Sequence, residues 1–300
     1  MSLVLALLSQ SPALLTIVVF VFALLVGSFL NVLIHRKPIM MEREWQAQAR
    51  DMLKLAPESP TPALYNLWTP RSACPQCAAP ITALQNIPIV SWLLLRGRCA
   101  GCKAAISARY PLVELLTGLL SAAVAWKIGF GWPLLAALLF TWFLVALCFI
   151  DIDTQLLPDD LTLPLFGLGL AFSLFVDEAA GASIPVQPRA AIIGALAGYL
   201  SLWLVTKLFF LVTRQDGMGE GDFKLLAALG AWLGWQMLLP IILMSAAVGA
   251  TVGLVLIVAR GRDRKLPMAF GPYLAAAGWI VMMFGHEWVD RYFGLFQHGG

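Results

Sequence analysis

Apolar residues run along this chain in long blocks separated by short polar breaks, without the every-second-residue alternation of a half-buried strand. A helix crosses a hydrocarbon core of about 30 Å with roughly 20 apolar residues. Eight blocks approach that length: 12–34, 111–128, 131–150, 161–176, 190–212, 223–237, 239–259 and 268–285. The fourth and sixth are short, which suits tilted, partly buried or re-entrant helices and leaves six or seven spans as the alternative count. An outer-membrane barrel is excluded, because its strands would carry the missing alternation, so the spans satisfy their backbone hydrogen bonds as helices. The expected fold is an all-α polytopic membrane protein of about eight transmembrane helices.

Composition agrees with that pattern. The 300 residues are 60% hydrophobic and 12% charged, and the mean hydropathy of +0.82 is not that of a water-soluble chain. The net charge of +3 says little, but the placement of the basic residues is uneven. Ten of the 20 lie between the first two spans: Arg36, Lys37, Arg43, Arg50, Lys54, Arg71, Arg96, Arg98, Lys103 and Arg109. The positive-inside rule puts this segment in the cytoplasm. Eight spans place Lys207, Arg214, Lys224, Arg260, Arg262, Arg264 and Lys265 on the same side and only Lys127, Arg189 and Arg291 on the other. No Lys or Arg precedes the first apolar block, so that block is expected to persist as a helix rather than be removed as a signal peptide. The expected organisation is a first transmembrane helix over 1–34, a cytoplasmic loop domain over 35–110 and a helical membrane core over 111–300. Small-residue spacings at Gly194/Gly198 and Gly230/Gly234 suit close helix packing.

The loop domain carries Cys74-Pro-Gln-Cys77 and Cys99-Ala-Gly-Cys102. Two C-x2-C pairs supply four thiolates, the donor set of a closed tetrahedral zinc site whose role is structural, because no position stays open for substrate. Disulfides are the competing reading, disfavoured in a reducing cytoplasm. Cys148 lies in an apolar block and reads as a small buried hydrophobe. Between the pairs, the apolar stretch Asn86 to Leu95 followed by Arg96-Gly-Arg98 reads either as the core of the zinc domain or as an interfacial segment touching lipid headgroups.

Ionisable residues at membrane spans are expensive, so each is a functional candidate. One acidic cluster is Asp151-Ile-Asp153 followed by Pro158-Asp159-Asp160, and the other is Gly217-Met-Gly219-Glu220-Gly221-Asp222. Both fall at the same membrane face. Two aspartates sharing one proton are the minimum apparatus for peptide hydrolysis without a metal or covalent intermediate. The structural alternative makes Asp222 the N-cap of one helix and Asp159 or Asp160 that of another. Asp151-Ile-Asp153 is too short to argue a glycosyltransferase D-x-D without sugar or nucleotide features, and His286-Glu-Trp-Val-Asp290 lacks the second histidine of a zinc protease. Glu114, just inside the second span, reads as a satisfied polar residue facing the bundle. No serine-hydrolase elbow or phosphate loop is present.

These residues together resemble the type IV prepilin leader peptidase family, membrane aspartic proteases that are usually also N-methyltransferases. The resemblance spans nearly the whole chain. It rests on Gly27-Ser-Phe-Leu-Asn-Val-Leu-Ile-His-Arg36-Lys-Pro38, the two cysteine pairs, Ile106 to Leu116, Asp151 to Asp159, and Gly219-Glu-Gly-Asp222. The last is the G-x-G-D signature shared more loosely with presenilin-type intramembrane proteases. The resemblance implies that Asp151 and Asp222 are catalytic, with Asp153 the rival of Asp151, and that Cys74, Cys77, Cys99 and Cys102 bind zinc. It implies residence in the bacterial cytoplasmic membrane and cleavage of prepilin and pseudopilin precursors on the cytoplasmic side, after a glycine that ends a short basic leader. The exposed residue, commonly phenylalanine, would then be methylated with S-adenosylmethionine, in support of type IV pili and often type II secretion. The expected partners are these precursors and the lipid bilayer, with no nucleic acid. The rival readings are an ion-coupled transporter and a noncatalytic pilin-docking factor. Glu42 to Thr69 and Asp177 to Pro188 match nothing specific and read as variable connections.

Overall fold

The structure, a computed structural model, describes residues 3–55, 64–175, 186–215, 217–260 and 268–297. Their regular elements are helical, with two isolated bridges, Ala73 to Pro80 and Arg98 to Ala105. The chain forms two compact units, Met1–Trp126 and Lys127–Gly300.

In the first unit α1 (Leu3–Gln10) gives way to α2 (Pro12–Met52) at Ser11, whose Oγ accepts the Leu14 N–H at 3.3 Å, with proline following at the first helical position. The helix runs past the basic group 35–37. It continues through Pro38 to Met52, because residues 39–51 are mostly strong helix formers and the single hydrogen bond that proline removes does not break it. Arg36 and Lys37 are each only 7% exposed. Arg36 donates to the carbonyls of Asn66 (2.8 Å) and Pro70 (2.6 Å), and Arg43 lies 4.3 Å over the Tyr65 ring. Arg36 thereby ties the returning chain to α2. A short α3 (Val90–Leu94) and α4 (Arg109–Ile128) follow, with the Asn31 amide donating to the Tyr110 carbonyl.

The second unit contains α5 (Trp132–Thr154), α6 (Asp159–Ser173), α7 (Pro188–Thr213), α8 (Glu220–Leu233), α9 (Leu238–Arg260) and α10 (Gly271–Gln297). Helix α8 is the centre: every residue from Leu225 to Leu233 is buried. It lies so close to α7 that a Cβ on Gly194 would collide with the Gly230 carbonyl oxygen, so both positions must be glycine. Trp232 donates to the Leu165 carbonyl of α6 at 2.7 Å, and its ring meets Phe140 of α5 (5.2 Å) and Phe172 of α6 (5.4 Å). Helices α7 and α9 expose Leu204, Val205, Leu208, Leu243, Leu254 and Val258, the apolar surface a lipid solvent requires.

Among the described residues five helices are long and apolar enough to cross a membrane: α2, α4, α5, α7 and α9 with the turn before it; α10 contributes the shorter apolar stretch Gly271–Gly285. The chain is an all-helical, multi-pass membrane protein. The fourth and sixth apolar blocks form α6 and α8, of 15 and 14 residues, about 21 Å for the latter at 1.5 Å per residue. Helix α8 is apolar on every side because protein, rather than lipid, surrounds it. The connection 177–188 falls almost wholly outside the described residues.

Candidate active site and metal centre

The two cysteine pairs fold alike. The Cys74 N–H donates to the Ala79 carbonyl (2.9 Å) and the Cys99 N–H to that of Ala104 (2.8 Å), while the residue after each second cysteine, Ala78 or Lys103, takes a positive φ of 55° or 62°. Each loop thereby points both thiols inward. The four Sγ atoms lie within 4.8 Å of one another, with Cys74 to Cys102 at 3.8 Å and Cys77 to Cys99 at 3.9 Å. A tetrahedron with zinc–sulfur bonds of about 2.3 Å has sulfur–sulfur edges of about 3.8 Å, whereas a disulfide requires about 2.05 Å. Backbone N–H groups of Cys77 and Gln76 hold the Cys74 thiol down to about 6, and those of Cys102 and Gly101 lower Cys99. Cys102 is pushed up to about 11: the Ala104 N–H pulls it down, but desolvation and the three neighbouring thiols outweigh that pull. The donor set and its spacing fit zinc. Cys148 is partly buried in α5.

The carboxylates come from helix ends. Helix α5 terminates with Gln155 in the left-handed conformation (φ 56°), its N–H closing onto the Asp151 carbonyl at 2.9 Å. Asp151 sits in the last turn, 4% exposed. An acid there opposes the helix macrodipole, so no stabilising role accounts for it. Asp222 is 9% exposed in the first turn of α8, where its N–H reaches the Gly219 carbonyl at 3.2 Å. The N-cap of α8 is therefore Gly219 and that of α6 is Pro158, neither with a side-chain cap bond, so Asp222, Asp159 and Asp160 are not the caps their residue types suggest. Asp159 is instead held by Lys224 Nζ, at 2.7 and 2.8 Å from its two oxygens, which joins the first turns of α6 and α8.

Asp151 and Asp222 are near enough for the charge of one to bear on the other. Leu157 packs between the backbones of Gly221 and Gly271, at the starts of α8 and α10. A Cβ on Gly271 would lie 2.6 Å from Asp151 Oδ2 and 3.2 Å from Leu157 Cδ1, so this approach requires glycine. Oδ2 is buried and has no hydrogen-bond partner among the described residues. A buried unpaired carboxylate oxygen is costly and marks a site built for something other than stability. In the first turn of α10, Tyr273 and Leu274 both donate to the Phe270 carbonyl and Pro272 has no N–H. The Gly271 N–H faces the Asp151 carboxylate.

Asp153 is exposed. Glu114, 7% exposed, accepts the Ile89 N–H at 2.8 Å and is a satisfied bundle residue. Sequence reasoning missed Gly271 and Leu157. The Phe270-Gly-Pro272 triplet marks a helix start, but nothing in it reveals which distant carboxylate that start approaches.

Comparison with known proteins identifies the family. Residues 21–128 match the bacterial peptidase A24 N-terminal domain and residues 138–254 the type IV leader peptidase family. The chain is 56% identical over 286 residues to a prepilin leader peptidase/N-methyltransferase of Aeromonas salmonicida, covering 95% of this chain and 96% of the relative. A protein of the same description from Pseudomonas aeruginosa is 52% identical over 290 residues, with the same coverage. One from Neisseria gonorrhoeae is 52% identical over 261 residues, covering 87% of each chain. No solved structure matches. With its two helix-end carboxylates brought together and relatives this similar along nearly its entire length, the chain belongs to the type IV leader peptidase family.

Proposed function

We propose that Asp151 and Asp222 cleave the short basic leader from type IV prepilins and pseudopilins after a glycine, at the cytoplasmic edge of the bacterial inner membrane. The same chain then methylates the new amino terminus, with S-adenosylmethionine supplying the methyl group, in support of pilus biogenesis or type II secretion. One observation carries the reading: two buried aspartates from separate helices, electrostatically coupled, one with an unpartnered oxygen. In such a pair one carboxylate draws a proton from water as its oxygen attacks the scissile carbonyl, and the other protonates the carbonyl oxygen. Collapse of the tetrahedral intermediate then returns a proton to the departing amine. The location at helix ends supports this chemistry, because water is at hand while the surroundings still strengthen the coupling between the charges.

The four thiols leave zinc no open position, so their role is to fasten the loop of 35–110 and not to touch the peptide. The concentration of basic residues in that loop supports its placement in the cytoplasm, between the first helix and the core of 111–300. The names of the relatives favour the peptidase over an ion-coupled transporter or a noncatalytic docking factor. The test is mass spectrometry of a prepilin incubated with the purified protein in lipid and S-adenosylmethionine. A shortened, methylated product is expected. A shortened product without the methyl group would overturn the second activity, and an intact precursor would overturn the first.

A further inference from the structure

The stretch between the cysteine pairs does not fill a core. Leu84 is 77% exposed, Ile87 42%, Val90 49%, Leu93 61% and Leu94 79%. Five large apolar side chains within eleven residues, shown outward from one small module, form a patch that water does not tolerate cheaply. Arg96 and Arg98, both exposed, follow directly.

The depth of this patch is set by one hydrogen bond. Helix α4 has 20 residues, about 30 Å at 1.5 Å per residue, just the thickness of a hydrocarbon core. Its first residue, Arg109, therefore lies at the boundary. Glu114 is five residues further along, about 7.5 Å deeper. Its carboxylate accepts the Ile89 N–H at 2.8 Å, and Ile89 takes φ 61° to present that N–H, a conformation a β-branched residue adopts only under constraint. The indole N–H of Trp92 is bonded inward to the Ile106 carbonyl, 3.2 Å away, which fixes α3 from its other side. The residues flanking Ile89 are thus held at the level of the first turns of a membrane span.

We propose that residues 84–95 are a lipid-docking segment: Ile87, Val90, Leu93 and Leu94 insert at the boundary between headgroups and acyl chains, and Arg96 and Arg98 meet anionic headgroups. Interfacial segments bury their apolar face about 5–10 Å into that boundary, which matches the depth set by Glu114. The occupant is the bilayer itself. The patch shows its side chains outward, its apolar groups sit beside two cations, and its tether is a membrane helix. The zinc module thereby lies against the membrane surface rather than standing off it as a free cytoplasmic domain.

The experiment places a benzophenone amino acid at Leu93, at Leu94 and, as a water-facing control, at Gln48, an exposed position on α2 eleven residues beyond Lys37. The full-length protein is irradiated in nanodiscs of phosphatidylethanolamine and phosphatidylglycerol, and adducts are identified by mass spectrometry. Zinc content verifies that each variant is folded. At Leu93 and Leu94, lipid adducts at least tenfold more abundant than at Gln48 are expected. Adducts confined to protein, whether a second copy or an added pilin precursor, would overturn the proposal. So would lipid adduct yields equal to those at Gln48. Because the readout is lipid contact and not cleavage, it holds or fails independently of the proposed reaction.

Discussion

Each cysteine knuckle closes within six residues, whereas the two carboxylates stand 71 positions apart (222 minus 151) and meet only when α5, α6, α8 and α10 have packed. The knuckles are made by local backbone hydrogen bonds and positive-φ turns. The carboxylate pair is held by long-range helix contacts, with Leu157 against Gly221 and Gly271 and the Gly271 backbone against Asp151. One site is therefore vulnerable to whatever competes for its thiolates, the other to whatever moves a helix. Changes at either site should leave the other's readout intact.

The sharpest break is at the carboxylates. Asp151→Asn and Asp222→Asn each keep the side-chain shape and remove the proton exchange, so leader release should fall by up to about 10⁴-fold. Zinc per chain should stay at the wild-type value. Time-resolved mass spectrometry of the precursor, beside metal analysis of the same sample, reads both quantities. Activity within tenfold of wild type in either variant would remove that aspartate from the reaction.

Acid should act the other way round. Zinc binds thiolates, so protons compete with it. Cys74, depressed to about 6, keeps its thiolate through neutral pH and loses it as pH falls through that value. Zinc measured with a chromophoric chelator should therefore be retained at pH 7 and released only well below the value of about 6 that Cys74 has without the metal, because bound zinc itself holds the thiolates against protons. The helical signal of α5 to α10 should persist through the release. Because Cys74 is already ionised at pH 7.5 while Cys102 is not, loading the metal-free protein should release protons, but fewer than four per zinc. Calorimetry in buffers of different ionisation enthalpy counts them.

A smaller effect is expected at Gly271. Alanine there would set its Cβ 2.6 Å from Asp151 Oδ2, so the carboxylate must shift. Misplacement of a reacting group by about 1 Å costs on the order of 100-fold in rate. Gly271→Ala should lose that much in kcat with little change in KM, zinc content or melting temperature. Gly278→Ala, whose Cβ would meet only the flexible end of Leu229, is the packing control and should move the melting temperature more than the rate. Equal rate losses in the two variants would mean that Gly271 acts through general packing of α10.

The same contrast explains what was legible beforehand. The cysteine cluster was readable because spacing alone dictates a knuckle, and the spans were readable because lipid permits little besides helices. The shortness of the sixth apolar block already suited a partly buried or re-entrant helix, but the apolar run itself gives no sign of whether protein or lipid will surround α8. The continuation of α2 past Lys37 was hidden for a different reason: Arg36 finds its partners at Asn66 and Pro70, thirty and more residues away. Likewise the acidic clusters announced a site, but burial separates Asp151 from exposed Asp153, and burial is a property of the assembled bundle.

The smallest expected effect lies at Lys224, two residues beyond Asp222, whose ammonium reaches both oxygens of Asp159. The side chains are 29% and 53% exposed, and ion pairs this accessible contribute about 0.2–1 kcal/mol, less in salt. A double-mutant cycle of Asp159→Asn and Lys224→Met should return a coupling within that range in thermal stability, shrinking as salt is added. The pair nevertheless joins the first turns of α6 and α8, and the turn of α8 carries Asp222. The decisive quantity is thus the same cycle measured on the cleavage rate. A rate coupling no larger than the stability coupling would make the bridge a surface contact that happens to lie near the site. A rate coupling several times larger would mean that holding two helix starts together sets where Asp222 stands, and the long-range site would then depend on a surface charge as well as on its buried packing.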